Sequence, residues 1–216
     1  MTPRRAIRRR PRGYTVIEVM LAISLLAIAS AGILALHSVS AMGNMRTRDL
    51  AVGTQIAETW VERLRSDAAS WTLPSPSYPN QPSNLDNTIW LKVVNTSPGV
   101  WLRPMDVANR GSAAFDLLGN DVEPGSTAVP VYCTNVRLTW LFPPPVAGTN
   151  ATGTPLVRAD VRVFWRREHG PDALFKDICD PANDYSVFDT ALAMNTPYER
   201  YHFVYLSTTI AENVAP

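Results

Sequence analysis

VMLAISLLAIASAGILAL, residues 19–36, is a run of eighteen apolar or small residues without a charge. After Glu18 no Asp, Glu, Lys or Arg occurs until Arg46, and residues 37–45 add only weakly polar positions. Eighteen such residues in a helix reach the lower limit for crossing a hydrocarbon core. Upstream, Arg4, Arg5, Arg8, Arg9, Arg10 and Arg12 crowd the first thirteen residues, which hold no acid. A basic block on one flank of an apolar span keeps that flank cytoplasmic. The expected topology is therefore N-terminus inside, with about 170 residues exported.

Three kinds of N-terminal element share this outline. One is a secretory signal cut after Ala29-Ser30-Ala31, one is an uncleaved anchor, and one is cut ahead of the apolar run, between Gly13 and Tyr14. Glu18 discriminates among them. A carboxylate at the head of an apolar segment is costly in lipid and usually has a partner and a task. Neither a disposable signal nor a plain anchor requires one.

Gly13-Tyr14-Thr15-Val16-Ile17-Glu18-Val19 resembles the type IV prepilin signature. In that family a short basic leader ends in glycine, an aromatic residue, usually Phe, opens the mature chain, and a glutamate is its fifth residue. Here Tyr14 stands in the aromatic position and Glu18 is fifth after Gly13. Residues 31–38 (AGILALHS), and then Leu50-Ala51 through Glu62-Arg63-Leu64-Arg65, are similar to the PilV-like minor pilins. The minor pseudopilins of type II secretion share much of the pattern. The resemblance implies removal of residues 1–13 by prepilin peptidase and N-methylation of Tyr14. It also implies a chain held in the bacterial inner membrane, N-terminus cytoplasmic and C-terminal domain periplasmic, before it enters a pilus at the cell surface. The partners it implies are other minor pilins, the major pilin and the inner-membrane assembly machinery. The contexts are adhesion and motility, and no cofactor is expected.

The chemistry of the motif is also readable from its residues. A cut after Gly13 removes all six leader arginines and leaves an α-amino group on Tyr14. That cation sits at the positive end of a helix macrodipole, where an anion is favoured. Glu18 lies one turn on and can pair with its own terminus or with that of an adjacent subunit. In low dielectric an unpaired carboxylate is costly, so a neighbour offering an amine is strongly preferred. The resemblance implies the intersubunit pairing, in which Glu18 sets the axial register of a filament. Its role is assembly, not catalysis.

Helical periodicity continues beyond the apolar run. Gly53, Ile56, Ala57, Trp60, Val61, Leu64 and Ala68 recur at three- and four-residue spacing, and Asp49, Glu58, Glu62, Arg63 and Arg65 fall mostly on the other face. No proline interrupts residues 14–73. One helix over residues 14–71 would be roughly 80 Å long, with Gly32, Gly43 and Gly53 as its weak points. Residues 72–84, TLPSPSYPNQPSN, read as a linker. Residues 85–216 are expected to form an antiparallel sheet domain with long loops. Strands are expected at residues 89–94, 136–142, 157–166 and 201–210, with loops at 143–155 and 170–199. The fold class is α+β: a long N-terminal helix, transmembrane in its first half, packs by its second half on an antiparallel sheet in the pilin manner.

The composition excludes several functions. Beyond the leader the chain holds 14 basic and 19 acidic side chains, which argues against a nucleic-acid grip by the globular part. Two cysteines cannot staple a disulfide scaffold of this size. Cys133 and Cys179 both fall on the exported side and are expected to form a disulfide, worth about 4 kcal/mol for a loop of this length. His37, His169 and His202 read as exposed or packed, and no GxSxG, HExxH, P-loop or GxGxxG occurs. No enzyme is expected. Asp172, Asp177, Asp180, Asp184 and Asp189 crowd one loop, but their spacing matches no calcium-binding loop. The sequons at Asn95 and Asn150 are discounted as chance matches. The leading function is a minor pilin, the alternative a minor pseudopilin of a type II secretion system. The alternative of another class is a membrane-anchored enzyme, or a secreted one released after Ala31.

Overall fold

The computed structural model describes residues 13–72, 84–144, 154–167, 179 and 201–212. Helix α1 covers Val16–Ala68 and is followed by a 3-10 turn, Ala69–Thr72. The chain forms two compact units, Met1–Arg48 and Asp49–Pro216.

In the second unit the end of α1 lies on an antiparallel sheet. Its strands are β1 (Trp101–Leu102), β2 (Ala114–Phe115), β3 (Tyr132–Phe142), β4 (Leu156–Arg166) and β5 (Tyr201–Ala211). The order is β1-β3-β4-β5, with β2 pairing on β3 beside β1. Alternation decides which side chains meet the helix. Tyr132, Val136 and Leu138 of β3, Val157, Ala159, Val161, Val163 and Trp165 of β4, and Ile210 of β5 form one buried core with Ile56, Ala57, Trp60, Val61 and Leu64 of α1. The helical stripe read from the sequence is the face that is buried.

Gly53 makes this approach possible. A Cβ there would stand 2.7 Å from the Trp165 ring, and that ring is held between Tyr132 and His202, each at 5.6 Å between centroids. What reads in the sequence as a helix weak point is a close-packing position.

Residues 89–94 depart from expectation: they form no strand. Leu91–Asn95 is a 3-10 helix. The cause is Asp67, a buried carboxylate near the end of α1. It accepts the backbone N–H groups of Ile89 (2.7 Å), Trp90 (2.8 Å) and Leu91 (3.0 Å). Three convergent N–H groups require a turn, not an extended chain. Leu91 and Val94, three apart, then both face the core, and Trp90 meets Trp60 edge-on at 5.4 Å.

The opposite face of the sheet carries a polar network. Asp160 accepts hydrogen bonds from Arg137 (2.9 Å), Arg158 (2.9 Å) and Ser207. Arg162 donates to the side-chain oxygen of Asn135 at 2.7 Å. Trp101 lies against both the Arg137 and Arg162 guanidiniums, at 4.7 and 4.4 Å. Burial raises the Asp160 carboxyl, and the bonds from Ser207, Arg137 and Arg158 outweigh it, so the group titrates below its ordinary range. A depressed native pKa means that the unfolded chain takes up the proton first. The contribution is complete above the unfolded value and is lost as pH falls through the native one.

Two predictions follow from this packing. Gly53→Ala should lower the melting temperature of the second unit. The gain of up to about 1 kcal/mol in helix propensity is smaller than the roughly 1–3 kcal/mol cost of overpacking. Gly32→Ala and Gly43→Ala, where a Cβ meets nothing within 4 Å, should leave that transition unchanged. Asp160→Asn should cost about 1–3 kcal/mol at neutral pH. It should also flatten the loss of stability that the parent chain shows below about pH 4, measured as melting temperature by circular dichroism between pH 3 and 7.

Candidate functional site: the N-terminal end of the long helix

Gly13, Tyr14 and Thr15 precede α1 without regular structure. The Thr15 carbonyl accepts the N–H groups of Glu18 (3.0 Å) and Val19 (3.2 Å), which closes the first turn. The Gly13–Tyr14 bond therefore lies outside the helix, where a peptide can enter an active site. A Cβ at Gly13 would meet nothing within 4 Å, and Tyr14 is 81% exposed. Thr15 and Glu18 also fit the Thr-x-x-Glu capping pattern. That signal was present in the sequence and would have located the helix start.

Glu18 stands in the first turn, where the helix macrodipole favours an anion. Its side chain is exposed and forms no hydrogen bond or ion pair with any described residue. It shares a shallow groove with Tyr14, Val19, Ala22, Ile23 and Leu26, so the carboxylate heads an otherwise apolar face.

The helix beyond it is suited to lipid. By length and composition it can cross a membrane, and none of its most apolar eighteen-residue window is buried. Three of the serine hydroxyls along it serve their own backbone. Ser24, Ser30 and Ser38 donate to the carbonyls of Met20 (2.9 Å), Leu26 (2.7 Å) and Ala35 (2.8 Å). Those three hydroxyls are then satisfied without water, as hydrocarbon requires.

The other candidate residues lie elsewhere. Cys133 of β3 is joined to Cys179, with Cα atoms 5.7 Å apart, and the bridge is buried with Phe164 and Tyr201. His37 is exposed on α1, and His202 packs on Trp165. His169 and the five aspartates between residues 172 and 189 lie outside the described residues. Among the described residues no group of three or more His, Cys, Asp or Glu can hold a metal ion.

The family model of the prokaryotic N-terminal methylation motif matches residues 8–34. That span takes in the end of the leader, Gly13, Tyr14, Glu18 and most of the apolar run. The chain carries the N-terminus of a type IV prepilin-like protein. The motif brings with it processing by prepilin peptidase, anchoring in a membrane, and assembly into a pilus or pseudopilus. Proteins with this motif are typically structural. Neither a curated protein nor a solved structure matches the chain. In this chain the motif and the helix start coincide: the Gly13–Tyr14 bond precedes the first turn, and the Glu18 carboxylate lies within it.

Proposed function

We propose that the chain is a minor pilin. It enters the inner membrane with its N-terminus cytoplasmic and its C-terminal domain periplasmic, is cleaved after Gly13, and is N-methylated on Tyr14. It then joins other minor pilins and the major pilin, through the inner-membrane assembly machinery, to prime or build a type IV pilus, perched at its tip. The observation that carries the reading is Glu18, a carboxylate at the head of an apolar helix that no described residue of its own chain pairs. A neighbouring subunit's new α-amino group is the complementary charge. A minor pseudopilin of a type II secretion system would use the same N-terminus. The 203 residues that would remain after cleavage at Gly13 favour the pilus; the loops expected at 143–155 and 170–199 lie largely outside the described residues.

Processing is tested first. N-terminal sequencing of the mature protein should begin at Tyr14, and a bulky residue in place of Gly13 should leave full-length precursor in the membrane. A mature terminus at Gly32 would instead mean a secreted domain.

Assembly is tested separately. Glu18→Leu should be made, inserted and cleaved normally, because removing a carboxylate from an apolar segment does not hinder insertion. It should be recovered poorly with partner pilins. Leaving a buried cation unpaired costs about 3–5 kcal/mol per contact, which is two to three orders of magnitude in association. Co-purification at the parent level would remove Glu18 from the register-setting role.

A further inference from the structure

Glu18 is not the only charge that borders the apolar run. The next charged side chains along α1 are Arg46 and Arg48, and the 27 residues from 19 to 45 carry none. At 1.5 Å per residue those 27 residues span about 40 Å. That equals the roughly 40–45 Å thickness of a bilayer with its headgroup layers included. With Glu18 level with one headgroup layer, Arg46 reaches the other.

Both arginines are exposed, and neither forms a hydrogen bond or ion pair with any described residue. The groups around them are otherwise engaged. The Thr47 hydroxyl donates to the Gly43 carbonyl at 3.0 Å, and the Asp49 carboxylate accepts the Tyr132 hydroxyl at 3.3 Å. Arg46 and Arg48 are two residues apart, so they leave the helix in nearly opposite directions. Met42 and Met45, 58% and 55% exposed, lie just on the apolar side of them. A guanidinium binds a phosphate oxygen pair in a forked geometry that an ammonium cannot reproduce. Its aliphatic stem can meanwhile lie along the apolar helix.

From this geometry we infer that Arg46 and Arg48 clasp the phosphates of anionic phospholipids in the leaflet opposite Glu18. The pair thereby fixes the depth of the helix before the subunit leaves the membrane. The inference rests on the reading of α1 as a membrane span. It adds a second polar anchor, made to lipid, at the far end from the one made to protein. On the reading of the chain as a filament subunit, α1 leaves the bilayer at assembly, and this contact breaks at that step. The contact is electrostatic and exposed, so it is weak enough to break and sensitive to salt. The preference for an anionic over a neutral surface is roughly fivefold per arginine.

The test uses the full chain reconstituted in vesicles of phosphatidylcholine with one quarter phosphatidylglycerol. Electron paramagnetic resonance of spin-labelled phosphatidylglycerol and phosphatidylcholine gives the relative association of each lipid with the protein. The leader arginines are common to all variants, so differences report on residues 46 and 48. Arg46→Gln/Arg48→Gln should lose at least fivefold of the parent's selectivity for phosphatidylglycerol. Arg46→Lys/Arg48→Lys should fall between parent and Gln variant, since it keeps the charge and loses the fork, and 0.5 M NaCl should erase the difference between parent and Gln variant. Parent selectivity in the Gln variant overturns the inference and leaves membrane anchoring intact. So does unchanged lipid selectivity combined with poor recovery with partner pilins, since the pair would then face an acidic protein surface. Release of the parent chain by alkaline carbonate would overturn the membrane reading and this inference with it.

Discussion

A carboxylate must be paired or solvated, and none of the described residues pairs with the Glu18 side chain. It sits in the first turn of α1, heads a groove formed by apolar side chains, and is followed by 27 residues without a charge. In water that arrangement would be unremarkable. Beside hydrocarbon it is a standing cost, and the cost is removed only by a cation supplied from outside the chain. The leader arginines cannot be that cation in the mature protein if they are cut away. The group that the cut creates can be. Processing and assembly are in this view one piece of chemistry, because the cleavage that ends insertion makes the charge that assembly needs.

The second unit is organised by a different constraint, which is the fit of a helix against a sheet. Gly53 lets α1 approach Trp165 closely. Around that contact Trp60, Leu64 and Ile56 meet the valines of β4. The edges of the contact are fastened by charge. Arg63 forms a forked pair with Asp121 and lies over the Trp60 and Phe115 rings at 5.1 and 5.7 Å. Asp67 gathers the chain that returns after the linker. Two acids distant in sequence from their partners therefore tie the irregular segments down, while the strands need only their alternation.

This division explains what the sequence made legible. The stripe on α1 and the period-two runs of β3, β4 and β5 depend on residues near one another in the chain, and pattern reading finds them. Residues 89–94 look like a strand because Ile89, Val93 and Val94 are β-branched. Their turn is imposed by Asp67, more than twenty residues earlier, and propensity yields to three hydrogen bonds. Strands β1 and β2 have two residues each, too few to show any period. The value of Gly53 was hidden because a glycine in a helix reads as a cost until the ring opposite it is known. At the N-terminus almost everything was local. Gly13, Tyr14 and Glu18 lie within six residues, and their chemistry follows from adjacency alone. The capping pattern at Thr15 is equally local and overlaps the cleavage motif.

The same distinction bears on how a filament could be specified. Ser24, Ser30 and Ser38 are turned back on their own helix, so over residues 19–36 the span offers neighbours only apolar contact. In hydrocarbon such contact carries little preference for one register over another, since lipid tails are as apolar as leucine. A one-residue slide of two such helices changes the packing slightly and the buried area hardly at all. Register must then come from the ends of the span, where charges sit at fixed heights. A protein–protein pair at one end and a lipid contact at the other are not equivalent in this respect. The proposed lipid contact would exist only while the subunit is in the bilayer, and the proposed protein pair would survive its departure. On the proposed reading, the arginines at one end would encode where the subunit waits, and Glu18 at the other how it stacks once it has left.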